Sequence, residues 1–269
     1  MKVYFKSKLG ERKTNEDRHN IILNSDHHKQ NMKKCDMFAI YDGHGGSYIS
    51  QKLSEMMPEI FMNKKIIFPI NKAKAMKICH EVQELLKGKY TTKATECGAT
   101  CLMMFKFKHS NKQHEENEYI NIINIGDCRA VLCSGKTAMQ ITVDHKPLDP
   151  SEKQRIMSAG GKVYYDGWEW RVDNLSLSRA FGDITSKFTP PIPDSFIHKI
   201  SKNDKFIILA CDGLWTVVDS QTAVNFVLHF CYDKNNVRIN ENFDIGKKLA
   251  DFAITQGSTD NVTVIVVFF

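Results

Sequence analysis

The chain of 269 residues has no run of about 18 consecutive apolar residues, so no membrane-spanning helix is expected. Its first residues, MKVYFKSKLGE, lack the apolar core of a secretory signal, and residues 2–7 lack the glycine that N-myristoylation requires. The 8 cysteines form no C-x-x-C pair, and no His/Cys cluster has zinc-finger spacing, which disfavours a structural zinc site. A Cys-x5-Arg signature is also missing, which argues against a cysteine nucleophile. There is no internal repeat and no low-complexity segment. Charge of one sign is not concentrated either. The net charge is +6, and the densest basic stretches, Lys2–Lys13 and Asn71–Lys77, read as solvated faces rather than a nucleic-acid footprint. These absences describe a soluble globular chain with reduced thiols, expected in the cytoplasm or nucleus. No nucleic-acid or membrane partner is expected, and a monomer is.

Two short runs share one design. FAIYDGHGG (Phe38–Gly46) and FIILACDG (Phe206–Gly213) are apolar stretches that stop at Asp-Gly. Each reads as a buried strand whose last position presents a carboxylate, with a glycine that lets the chain turn sharply. Either one alone is an ordinary strand-to-turn junction. Further acids sit in similar places. Asp127 lies between the apolar runs Tyr119–Ile125 and Ala130–Cys133, Asp260 precedes the terminal run Val262–Phe269, and Glu16 and Asp17 precede Arg18–Leu23. Gathered carboxylates repel and raise one another's pKa, so a fold that assembles them usually supplies a cation. Oxygen ligands of this kind suit Mg2+ or Mn2+.

Periodicity places strands at 2–6, 18–24, 36–41, 99–107, 119–125, 129–133, 138–142, 162–165, 169–173, 195–200, 205–211 and 261–268. Helices are expected at about 46–61, 70–88, 150–159, 220–233 and 244–256. The third helix has explicit boundary signals: Asp149 as N-cap, Pro150 at the first position, Glu152 completing a capping box, and Gly160-Gly161 as the stop. Regular βαβ alternation is absent, so antiparallel sheets covered by helices fit better than one parallel sheet. The terminal strand is too apolar to leave exposed, which ties it to the rest and argues for a single domain over 1–269. Polar segments 24–35 and 108–118 read as loops. Trp168 and Trp170, flanking Glu169, read as hairpin packing.

Assembled in order, these residues resemble the protein phosphatase 2C family of metal-dependent serine/threonine phosphatases. The resemblance rests on Arg12-x-x-x-Glu16-Asp17, Asp42-Gly43-His44-Gly45-Gly46, Gly98-Ala99-Thr100, Gly126-Asp127-x-Arg129 and Asp144-His145-Lys146-Pro147. It continues through Ala159-Gly160-Gly161, Leu177-Ser178-Arg179-Ala180-Phe181-Gly182-Asp183, Ala210-Cys211-Asp212-Gly213-Leu214-Trp215 and Asp260-Asn261. Any one of these is weak; the set in register spans nearly the whole chain.

The resemblance implies an α+β fold, a four-layer αββα sandwich of two packed antiparallel β-sheets flanked by helices. It implies two Mn2+ or Mg2+ ions in a cleft between the sheets and phosphorylated protein substrates. By position, Asp42 bridges the ions and the Gly43 carbonyl binds one of them. Asp212 and Asp260 hold the first ion, Glu16 serves the second, and Asp17 orients water. Arg12 grips phosphate, and His44 is the general acid. Asp127 and Asp212 contribute to a weaker third ion, but Thr216 stands where the family usually has another Asp. Arg179 and Asp183 read as structural residues near the cleft, His145 as architectural, and Ile184–Ser195 as substrate-proximal surface. The alternative is a non-catalytic binding module on the same fold, which the presence of Glu16, Asp42, Asp212 and Asp260 disfavours.

Overall fold

The computed structural model describes residues 1–25, 35–62, 66–110, 116–235, 237–239 and 243–269. Two antiparallel five-stranded sheets form its centre. In spatial order, one contains Lys2–Lys8, Val262–Phe268, Asp204–Ala210, Arg129–Ser134 and Thr137–Gln140. The other contains Asp194–Lys199, Glu116–Ile125, Cys101–Ser110, Cys35–Tyr41 and Arg18–Ser25.

Strand alternation builds the layers. In Cys35–Tyr41, Phe38 and Ile40 face one way while Met37, Ala39 and Tyr41 face the other. Phe38 and Ile40 meet Leu132, Ile207, Leu209, Ile265 and Val267 of the opposing sheet, forming an apolar layer between the sheets. Met37, Ala39 and Tyr41 pack on Ile49, Leu53 and Met57 of the helix Tyr48–Phe61 and on Ile78, Val82 and Leu86 of the helix Lys72–Lys89. On the far side, Val264, Val266 and Ile208 pack under the helices Ser220–Cys231 and Ile245–Thr255. The result is the expected αββα order. All seven residues of Val262–Phe268 are buried, and the strand pairs with a neighbour on each side, Lys2–Lys8 and Asp204–Ala210. Full burial of each such side chain contributes ~1.5–3 kcal/mol, so a charge placed at Val264 or Ile265 breaks this sheet first.

Several expectations need correction. The segment 108–118 is not all loop: His109 pairs with Asn117 and Ser110 with Glu116, extending the hairpin. Ladder hydrogen bonds and the Lys106–Glu118 ion pair at 2.9 Å hold these polar residues in strand geometry. Residues 111–115 and, in the other expected loop, 26–34 lie outside the described residues. The N-cap at Asp149 is present, accepting from the amides of Ser151 and Glu152. The capping-box role of Glu152 is not: its carboxylate is buried against Arg179, Arg155 and Ser178. Those cations and hydroxyl outweigh the burial that would raise its pKa and hold it down at about 2. Elements without periodicity in sequence are added, namely the two-residue strands Gly43–His44 and Phe181–Gly182, both paired with Gly98–Ala99, and the short helices Thr91–Glu96 and Asp212–Trp215.

Candidate metal centre

The acidic positions all lie just beyond strand ends, and the fold brings those ends together. Asp42 follows Cys35–Tyr41 in one sheet. Asp212 follows Asp204–Ala210 in the other and opens the short helix Asp212–Trp215. Asp127 lies in the crossing between Glu116–Ile125 and Arg129–Ser134, where the chain passes from sheet to sheet. Asp260 precedes Val262–Phe268, and Glu16 and Asp17 precede Arg18–Ser25. A cleft of about 300 Å³ is lined by Arg12, Glu16, Asp42, Gly43, His44, Asp127, Asp183, Asp212 and Asp260.

Carboxylate oxygens of Asp42, Asp127 and Asp212 lie within 4.8 Å of one another, and so do ligand atoms of Asp17, Asp42 and Cys211. Burial and this crowding act in one direction. Burial, then the charges of Asp17, Asp212, Asp127 and Asp260, raise the Asp42 pKa well above the usual carboxylate range. Burial followed by Asp127 pushes Asp212 up to about 7, with Lys146 opposing. Burial pushes Asp17 up to about 6 despite hydrogen bonds from Thr263 and Cys211. Asp17 is 5% exposed; Oδ2 accepts from Thr263 Oγ1 at 2.6 Å, and Oδ1 has no hydrogen-bond partner. An orphaned buried carboxylate oxygen beside crowded acids is the donor set a divalent cation satisfies, so the residues present fit a metal centre.

The other expected members are present in the cleft in different states. Glu16 Oε2 accepts from the Gly46 amide at 3.0 Å and Oε1 from Thr14 at 3.2 Å, while Asp260 is paired with Arg12 at 2.7 Å. Neither carboxylate belongs to the two close clusters among the described residues. Gly43 has no room for a side chain, since a Cβ there would meet the Glu16 carbonyl at 2.6 Å and Ser50 Oγ at 2.8 Å. His44 Nε2 lies 2.7 Å from Asp183 Oδ2. Burial disfavours the charged ring, but the hydrogen bond and charge of Asp183 outweigh it and raise the His44 pKa.

Sequence reasoning missed several partners. Asp183 read as a structural residue; it is the contact of His44. A Cβ at Gly98 would collide with both Asp183 Oδ2 and His44 Nε2, so the glycine of the Gly98-Ala99-Thr100 motif was the signal that something closes over it. Lys146 pairs with Asp127 and lies 3.7 Å from Asp212, an ammonium between two acids. Asn261 clamps the Glu16 loop: Oδ1 accepts from the Glu16 amide at 2.8 Å, and Nδ2 donates to the Leu9 and Thr14 carbonyls. His145 is architectural as expected. The Gly126 amide donates to Nδ1 at 3.0 Å, which leaves the ring proton on Nε2, facing Asp194 at 3.0 Å. Arg179 is likewise structural, held on Glu152.

A family model described as protein phosphatase 2C matches residues 1–262. The chain belongs to the protein phosphatase 2C family, a metal-dependent one. Over 177 residues it is 41% identical to a PP2C-like domain-containing protein, R307, of Acanthamoeba polyphaga mimivirus, covering 59% of this chain and 98% of that protein. It is 33% identical over 238 residues to probable protein phosphatase 2C 71 of Arabidopsis thaliana, covering 87% of this chain but 48% of the relative, so the chain spans about half of that protein. Among solved structures, a C. elegans sex determining protein superposes with a TM-score of 0.83 at 24% identity, covering 99% of this chain and 64% of that one. The serine-threonine phosphatase 2C of Toxoplasma gondii gives 0.77 at 20% identity, covering 99% and 94%. These two likenesses establish the fold. Among the described residues, no helix is long and apolar enough to cross a membrane.

Proposed function

We propose that this chain is a protein serine/threonine phosphatase that hydrolyses phosphoserine and phosphothreonine with two Mn2+ or Mg2+ ions. The observation that carries the reading is the meeting of Asp42, Asp127 and Asp212 from both sheets in one cleft, with Arg12 and His44 on its walls. Asp42 and the Gly43 carbonyl would help to hold the ions. Asp212 and Asp260 would hold the first ion and Glu16 the second. When bound, the ions supply charge neutralisation and activation of water for in-line attack on phosphorus.

The chain's own groups do the rest. Arg12 offers a planar guanidinium to the phosphate oxygens, and its present partner Asp260 keeps it at the cleft. Asp17, whose buried Oδ1 has no hydrogen-bond partner among the described residues, would orient water at the centre. His44, held by Asp183, carries a proton to the departing serine or threonine oxygen. Because both sheets supply these groups, 1–269 works as a single unit. Phosphorylated polypeptides are the substrate, in cytoplasm or nucleus, and a monomer suffices. Asp127 and Asp212 can also take up a third ion, weakly, because Thr216 Oγ1 is occupied as a donor to the Asp212 carbonyl at 2.5 Å and adds no charge. The test is hydrolysis of a phosphothreonine peptide with Mn2+, with Mg2+, and in excess chelator. Turnover only with the divalent ion supports the reading; full turnover in chelator overturns it.

A further inference from the structure

Beside the metal cleft lies a second pocket, of about 390 Å³. The two share Ser176 and Asp212 as common walls. The chain has three tryptophans, and all three, Trp168, Trp170 and Trp215, line this second pocket together with Tyr165. Trp168 is 89% exposed, so the expectation that it packs the hairpin is wrong. Its turn is nonetheless well held: Asp166 Oδ1 accepts from the amides of Trp168 at 2.8 Å and Glu169 at 2.9 Å. The hairpin Tyr164–Tyr165 with Trp170–Arg171 therefore presents a large indole to solvent on a braced turn.

The charged groups of the same pocket are each paired, some with partners outside it. Arg129 is bidentate on Asp144, with the shortest contact at 2.6 Å, and lies over the Trp215 ring at 5.2 Å. Lys146 is held by Asp127 and Asp212, and Glu169 by Arg171. What the pocket leaves open is the aromatic surface of Trp168 and Tyr165; Trp215 is buried under Arg129, and Trp170 lies against Tyr165 with the Lys153 ammonium 5.9 Å from its ring centre. Aromatic walls with paired charges favour a neutral, apolar occupant, and such surface exposed next to a reaction centre marks a binding site.

We propose that this pocket takes a large apolar side chain of the substrate polypeptide, within a few residues of the phosphorylated serine or threonine. The inference rests on the phosphatase reading for its substrate. The shared walls support it: a peptide advancing about 3.3 Å per residue in extended form that leaves the cleft over Ser176 and Asp212 enters the aromatic pocket within a few residues.

The test uses phosphothreonine peptides of one length and charge, in which a phenylalanine replaces alanine at each position up to about four residues on either side. In the wild-type chain, phenylalanine at one or two positions should raise kcat/KM by about 10-fold. In Trp168→Ala and Trp170→Ala that preference should fall to within about twofold. Turnover of a small aryl phosphate, measured in each protein, reports whether the centre itself is intact. Peptide hydrolysis with no phenylalanine preference at any position overturns the pocket and leaves the phosphatase reading standing, as does a preference that survives in both variants. If no phosphate ester is hydrolysed with Mn2+, the phosphatase reading fails. Calorimetric binding of the same peptides then decides the pocket: tighter binding of a phenylalanine peptide that is lost in Trp168→Ala supports it, and equal binding overturns it.

Discussion

Removing a carboxylate from the centre should make the metal-free protein more stable, not less. Asp212 sits at about 7 and Asp17 at about 6, against 3.8 for an ordinary aspartate. Between roughly pH 4 and 7 the folded chain therefore holds protons that the unfolded chain has released, so stability falls as pH rises through that window. At about 1.4 kcal/mol per tenfold change, holding Asp17 at about 6 costs ~3 kcal/mol above that pH, and Asp212 ~4 kcal/mol. Both carboxylates lie beside Asp42, so the costs overlap, and the centre as a whole loses on the order of 4 kcal/mol. For a chain of this size that is roughly 8–12 °C in Tm. A divalent ion reverses the sign, because it binds the ionised carboxylates of the folded state and not the unfolded chain.

Urea unfolding at pH 5 and pH 7.5, each with chelator and with saturating Mn2+, reads both effects. In chelator the wild type should lose about 3 kcal/mol between the two pH values, since part of the window is already passed at pH 5, while with Mn2+ the loss should vanish or invert. Asp212→Asn should flatten the slope in chelator and exceed the wild type in stability at pH 7.5 by about 2 kcal/mol, yet gain less from Mn2+. Lys146 keeps Asp127 as a partner in this variant, so its ammonium is not stranded. A chelator-treated Asp212→Asn no more stable than the wild type at pH 7.5 would falsify the repulsion argument.

Three further outcomes follow from the same geometry. His44→Ala should lower kcat for a phosphothreonine peptide by about 100-fold or more but far less for an aryl phosphate, whose leaving group needs little protonation; equal losses on both would make His44 structural. Arg12→Ala should raise KM more than it lowers kcat, measured on the same peptide, and the opposite split would remove it from phosphate binding. Lys146→Met and Thr216→Asp should each tighten the weakest divalent step in a calorimetric titration, the first by removing the ammonium between Asp127 and Asp212 and the second by adding an anionic oxygen; unchanged isotherms in both would mean that no ion binds there.

What the sequence could show was local, and what it hid was the partner across the fold. Asp42 and Asp212 are legible because an apolar strand ending in Asp-Gly states its own geometry, and ten of the twelve expected strand segments declare themselves by apolar patterning, while 162–165 and 169–173 shrink to the two-residue strands Tyr164–Tyr165 and Trp170–Arg171. The two-residue strands Gly43–His44 and Phe181–Gly182 have no room for a period, so only their shared neighbour Gly98–Ala99 reveals them. The same limit hides Asp183 behind His44, 139 positions away, and Lys146 between two acids that reach it from different strand ends. Glu152 fitted a capping box by spacing, but a box needs the glutamate free to turn back on its own helix. The stronger demand came from Arg179 and Arg155, because two cations beside a nearly buried site must be matched there. Trp168 fails in the other direction. Hydrophobicity predicts burial only where a neighbouring layer exists to receive the ring. A turn braced by Asp166 at the rim of the cleft has none, so the ring is left for whatever enters beside Asp212.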